Sequence, residues 1–154
     1  MDVRVDDPNN PALADLLRAH VAEQHGNVPH GFAFALDADA LSGPDITFLS
    51  AWDGDTLAGM GALKQLDATS GEVKSMRAAP DYLGKGAGLT VLDRIVATAR
   101  ARGYRRLYLE TGTTAAYDAA LALYRRAGFV SCPPFADYAA SPHNQFFMLD
   151  LGEN

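Results

Sequence analysis

Apolar and polar positions first alternate along this chain. Val3 and Val5 flank Arg4, which predicts a short first strand. Asp6-Asp7-Pro8-Asn9-Asn10 is turn chemistry, and Pro11 suits the start of a helix. Leu13, Leu16, Leu17, Ala19, His20 and Val21 fall on or near one face of that helix, which Gly26 and Pro29 end. A short helix fits residues 37–41, and Ser42-Gly43-Pro44 breaks it. Residues 46–52 form an apolar strand, and Asp53-Gly54-Asp55 is a hairpin signal. Residues 56–66 return as its partner, although Gly59 and Gly61 weaken the strand pattern. After a turn at 67–71, residues 72–79 make a third antiparallel strand, stopped by Pro80.

The period then changes from two to 3.6. Leu89, Leu92, Ile95, Val96 and Ala99 share a helical face, and Gly103 caps the helix after Arg100 and Arg102. Residues 105–110 alternate, with Leu107 and Leu109 on one side. Thr113 or Thr114 can cap a helix running to Arg126, closed by Gly128. Residues 129–131 and 145–151 complete the set as strands. The predicted class is mixed α/β (α+β): an antiparallel meander joined to one parallel strand–helix–strand unit.

The length of 154 residues fits one domain over 1–154, and 48% hydrophobic residues suffice for a core. A net charge of −6 argues against nucleic-acid or anionic-membrane partners. With Cys132 alone, no internal disulfide forms, which fits a reducing compartment. Met1-Asp2-Val3-Arg4 is not a basic segment followed by an apolar stretch, so no signal peptide is expected, and with no apolar run of ~18 residues no membrane span is expected. A cytoplasmic location is expected.

The richest stretch is Met76-Arg77-Ala78-Ala79-Pro80-Asp81-Tyr82-Leu83-Gly84-Lys85-Gly86-Ala87-Gly88-Leu89. It reads as a strand, a glycine-rich turn and a helix start. Main-chain N–H groups around Gly84, Lys85, Gly86, Ala87, Gly88 and Leu89 can meet at the positive end of the helix, where phosphate binds. A Walker loop is rejected because Gly86 follows Gly84-Lys85 where Ser or Thr is needed. A dinucleotide fingerprint fails at Leu89, and too little chain follows the turn to complete that fold. A coenzyme A diphosphate loop is the third option.

That segment resembles the pyrophosphate loop of the GNAT superfamily of N-acetyltransferases, with Leu83 in the leading place where the family carries Arg or Gln. Ala122-Leu123-Tyr124-Arg125-Arg126-Ala127-Gly128-Phe129 is similar to the family's second conserved segment. Trp52-Asp53-Gly54-Asp55, residues 72–77, Leu109-Glu110-Thr111-Gly112 and Pro134-Phe135-Ala136-Asp137-Tyr138 resemble the bacterial YsnE-type acetyltransferases. The resemblance implies a central, mostly antiparallel sheet of about seven strands, with the fourth and fifth splayed and about four helices around it. It implies acetyl-coenzyme A as donor, no metal, an amine of a small molecule or peptide as acceptor, and often a homodimer. Met76, Arg77 and Ala78 would line the pantetheine arm, and residues 83–89 would hold the diphosphate.

Tyr124 matches the family tyrosine that protonates the leaving thiolate. The alternative is a core tyrosine. Glu110, at the end of its strand, is a candidate base, a helix-start partner or a surface charge. Glu72 is a second candidate base, or a cross-strand partner for a cation such as Lys64. Lys85 adds charge at the diphosphate or is a solvated loop lysine, and Arg77 contacts ligand or solvent. His20, His25 and His30 recur every five residues, which rotates around a helix and does not make a metal site. His143 could face the acceptor pocket but fits a surface position better. Cys132 has no catalytic partner in view. Trp52, Phe32, Phe34, Phe135 and Tyr138 wall an acceptor pocket or fill the core. A non-catalytic acyl-coenzyme A binding module on the same fold is the alternative function.

Overall fold

The computed structural model describes residues 1–27 and 37–152. Its elements are β1 (Asp2–Val5), α1 (Ala14–Asn27), α2 (Ala38–Leu41), β2 (Ile46–Asp53), β3 (Thr56–Asp67), β4 (Ser70–Ala78), α3 (Ala87–Ala101), β5 (Arg106–Gly112), α4 (Asp118–Arg126), β6 (Val130–Ser131) and β7 (Asn144–Asp150). The strands form one seven-stranded sheet in the order β1-β2-β3-β4-β5-β7-β6. Among the described strands, only β4 and β5 run parallel, joined by the α3 crossover. This is the expected architecture.

Strand alternation gives the sheet two covered faces. On one, Val91, Leu92 and Ile95 of α3 and Leu121 of α4 pack on Leu63, Val73, Leu107, Leu109 and Phe147. Burial of each large α3 side chain contributes roughly 2 kcal/mol. On the other, Leu16 and Leu17 of α1, with Leu13 and Leu41, pack on Phe48, Met60 and Ala62.

Both long helices of the first face end in Schellman motifs. Gly103 takes φ 78°, while the Tyr104 N–H reaches the Ala99 carbonyl at 3.0 Å. Gly128 takes φ 103°, while the Phe129 N–H reaches the Tyr124 carbonyl at 3.0 Å.

The turn before β4 is tighter than the predicted 67–71. β4 begins at Ser70, and the Asp67 carboxylate accepts from the Thr69 N–H at 2.9 Å. Gly71 permits this: a Cβ there would lie 2.8 Å from Leu63 Cδ1.

Two features open the middle of the sheet. β4 and β5 pair only from Ser70↔Arg106 to Glu72↔Tyr108, so the rest of β4 has no strand partner on that side among the described residues. The register of β4 against β3 then slips between Ala62↔Lys74 and Met60↔Arg77. Ser75 sits in this bulge at φ 57°, a left-handed conformation that costs a non-glycine residue about 1 kcal/mol. Gly61 lies across from it. A Cβ at Gly61 would come within 2.6 Å of both Met76 Sδ and Val91 Cγ1. The glycine that weakens the strand pattern is therefore what lets the bulge and α3 approach.

Candidate active site

Gly84 and Gly86 have φ 72° and 87°, a region that L side chains enter only with strain. A Cβ at either would meet nothing within 4 Å, so this side of the loop is open. Gly86 caps α3 without any side-chain bond. The ladder of α3 begins with the Thr90 N–H to the Gly86 carbonyl at 3.0 Å. Among the described residues, no oxygen accepts from the N–H groups of Gly84, Gly86, Ala87, Gly88 or Leu89. These donors gather at the positive end of a 15-residue helix, an arrangement that favours a phosphate oxygen. The Lys85 N–H is instead taken by the Tyr82 carbonyl at 3.1 Å, and its ammonium lies 5.7 Å from the Tyr82 ring centre. Leu83 is 69% exposed and lines the mouth of the groove beside the loop.

From this cradle a groove of about 1010 Å³ runs inward. Met76, Arg77 and Ala78 of β4 line it, as do Leu123 and Tyr124 of α4 and His20 and Glu23 of α1. Helices from both faces contribute, so the groove passes through the gap that β4 leaves when it parts from β5. An anionic head at the cradle and an extended, amide-bearing arm along β4 fit this shape. Unpartnered strand groups are what such an arm pairs with.

Tyr124 reaches the groove from the face of α4 that packs on the core. The Gly128-Phe129 motif fixes it twice. Phe129 holds its carbonyl, and the Phe129 ring meets the Tyr124 ring edge-on with centroids 5.8 Å apart. Burial pushes the hydroxyl well above the ordinary phenol range, so it stays protonated and serves as a donor.

The two candidate carboxylates lie on the other face. Val73 and Leu109 pack under α3 and α4, so their neighbours Glu72, Lys74 and Glu110 point the opposite way. Glu72 is 2% exposed. Its Oε2 accepts from Lys74 Nζ at 3.1 Å and from the Tyr138 hydroxyl at 2.6 Å. Lys64 stands opposite Glu72 in the register, yet the ion pair is with Lys74 on the same strand. Glu110 is half-buried on β5, opposite Phe146 of β7. Burial raises its pKa to about 7, against the opposing pull of Lys74 and a hydrogen bond from Asn144. The nearby Glu72 charge acts in the same direction as burial.

Lys74, Ser75 and Asn144 are not singled out by the sequence reading. The Glu72-x-Lys74 spacing was the available signal for the first, since residues two apart share a strand face. Nothing in the sequence foretells the Ser75 bulge or the seating of Asn144. His20 is buried, its Nδ1 has no partner among the described residues, and burial beside Arg77 lowers its pKa to about 4. Arg77 donates to Glu23 Oε2 at 2.6 Å across the α1–β4 seam. Burial raises the Cys132 thiol, which leaves it a poor nucleophile. Trp52 lies away from the groove, with its Nε1 donating to Ser50 Oγ at 2.8 Å. Phe32, Phe34 and His30 lie outside the described residues, as does the side chain of His25. Among the described residues, no group of three or more His, Cys, Asp or Glu could hold a metal, and no helix is long and apolar enough to cross a membrane.

The comparisons agree with this geometry. The model of the acetyltransferase (GNAT) family matches residues 13–129. The uncharacterized N-acetyltransferase YedL of Escherichia coli (strain K12) is 44% identical over 152 residues, covering 99% of this chain and 96% of that one. The uncharacterized N-acetyltransferase YsnE of Bacillus subtilis (strain 168) is 44% identical over 151 residues, 98% and 100% of the two chains. A solved Klebsiella pneumoniae protein, provisionally named an acyl-CoA N-acyltransferase, superposes with a TM-score of 0.78 at 26% identity and 97% coverage of each chain. Acetyl-coenzyme A is the acyl donor of this family, and the open amides and groove suit it. The chain belongs to the GNAT acetyltransferase family and is an acetyl-CoA-dependent N-acetyltransferase.

Proposed function

We propose that this enzyme acetylates an amine of a small molecule or peptide by direct attack, with Glu110 accepting the amine proton and Tyr124 protonating the departing sulfur. The observation that carries this reading is the set of open amides at Gly84 and Gly86–Leu89, facing a groove that leads to Tyr124. Acetyl-coenzyme A supplies the thioester. The amides at residues 84 and 86–89 hold its diphosphate, and Met76, Arg77 and Ala78 flank its arm.

A primary alkylamine has a pKa of ~10.4, so about one molecule in ~10³ is neutral at pH 7. A base with pKa near the working pH offsets part of that deficit. Glu110, at about 7, suits the task. Glu72 suits it less, because the Lys74 ammonium and the Tyr138 hydroxyl already occupy its Oε2. Main-chain N–H groups of β4 beyond Glu72, where its pairing with β5 ends, are the donors that would stabilise the carbonyl oxygen as charge builds. Tyr124 donates a hydrogen bond to the sulfur and then its proton as the C–S bond breaks.

One domain over residues 1–154 is part of this reading, supported by a sheet that runs from Asp2 to Asp150. A cytoplasmic location rests on the single Cys132. A homodimer is included, and light scattering checks it. The test of function is thiol release from acetyl-coenzyme A across a panel of amines. Glu110→Gln and Tyr124→Phe should each lower kcat on the order of 10²-fold with coenzyme A binding retained. Full turnover in both variants would refute the assignment.

A further inference from the structure

The segment between β6 and β7 returns over the face of the sheet that carries the carboxylates, and Tyr138 bonds it to their ion pair. The Tyr138 hydroxyl donates to Glu72 Oε2 at 2.6 Å and accepts from Lys74 Nζ at 2.7 Å. Since Lys74 also bonds Glu72, the three side chains close a ring. The Tyr138 ring meets Phe135 edge-on at 5.1 Å and tilts against Phe146 at 5.8 Å. Phe135 in turn stacks on Tyr108 of β5 at 4.9 Å. One polar atom thus joins a 12-residue connection to the middle of β4, at the point where β4 leaves β5.

We propose that Tyr138 is a positioning residue: its hydroxyl latches the β6–β7 connection onto the Glu72–Lys74 pair and so closes the acceptor side of the site around Glu110. This rests on the acetyltransfer reading above, and it gives Glu72 and Lys74 an anchoring task in place of proton transfer. The latch explains why two ionic groups are held in so dry a place. Each has its partners within the ring, and the ring needs the tyrosine to be complete. It also explains how Glu110 is dried. The groups that reach it are Lys74 and Glu72 from β4, Asn144 from β7 and Tyr138 from the connection. Burial and both carboxylates push the Tyr138 hydroxyl far above the ordinary phenol range, so it remains a donor at every working pH. Releasing the latch lets water reach Glu110 and returns it toward an ordinary carboxylate.

The test is Tyr138→Phe in the full chain, which keeps the ring and removes both hydroxyl bonds. Loss of a hydrogen bond to a charged partner is worth roughly tenfold or more, and here it falls on seating the connection. The amine KM should rise about tenfold while the acetyl-coenzyme A KM stays within about twofold. The acid limb of kcat/KM should move to lower pH, and Tyr138→Ala should move it further. Amide hydrogen exchange over 132–143 should accelerate in both variants without acceleration in α3. The proposal is overturned if Tyr138→Phe matches the parent in amine KM and in exchange, or if its defect falls on acetyl-coenzyme A instead. Should the parent transfer acetyl to no amine, the functional reading fails. The exchange measurement then still decides the latch, because it needs no substrate.

Discussion

Replacing Glu110 by Gln should cost activity and add stability, and both effects come from the same burial. The unfolded chain titrates Glu110 near its ordinary 4.5, while the folded protein holds the proton to about 7. Below about 4.5 both states carry the proton, and the site has no electrostatic cost. As pH rises toward 7, only the folded state still binds it, so stability falls through that window and the full cost remains above it. In a sealed interior that gap is worth roughly 3 kcal/mol. Glu110 is half-buried, so screening by water reduces the figure to about 2 kcal/mol. Glutamine has the same shape and keeps an oxygen for Asn144 without the charge. Urea denaturation of both proteins at several pH values should therefore show no difference near pH 4 and a gain of about 2 kcal/mol for the variant at pH 8. In a chain of this size that is a rise in Tm of about 4–8 °C. His20 titrates alike in both proteins and cancels. Stability curves that run parallel from pH 4 to 8, or a variant weaker at pH 8, would refute the reasoning.

His20 should tilt the parent curve the other way. Its pKa is lowered to about 4 by burial, so stability present above its ordinary 6.5 is lost as pH falls through 4, by roughly 3 kcal/mol, and His20→Gln should flatten that loss in the same denaturation series. Gly86→Ala forces φ 87° on a residue with a Cβ. It should raise the acetyl-coenzyme A KM several-fold and cost about 1 kcal/mol, and an unchanged KM measured by thiol release would remove the cradle from the site. Lys74→Met leaves the 2%-exposed Glu72 without its cation and should destabilise the fold by about 3–5 kcal/mol in thermal denaturation, whereas a surface pair would lose under ~1.

Local chemistry wrote much of this protein into its sequence. Alternation about Leu107 and Leu109, the 3.6 period from Leu89 to Ala99, and glycines at 103 and 128 depend on neighbours a few residues away, and the elements followed. The turn of open amides at residues 84 and 86–89, proposed to hold a diphosphate, was legible for the same reason, because a glycine-rich turn leading into a helix start is one continuous stretch of chain. The cluster proposed for the acceptor side was not. Glu72, Lys74, Glu110, Tyr138 and Asn144 span 73 positions of sequence, and only the parallel pairing of β4 with β5 and the return of β7 bring them together. A pKa set by burial, a tyrosine bonded to two ions and a bulge at Ser75 are properties of packing between distant segments. They were decided when the sheet closed, by which atoms it excluded from water.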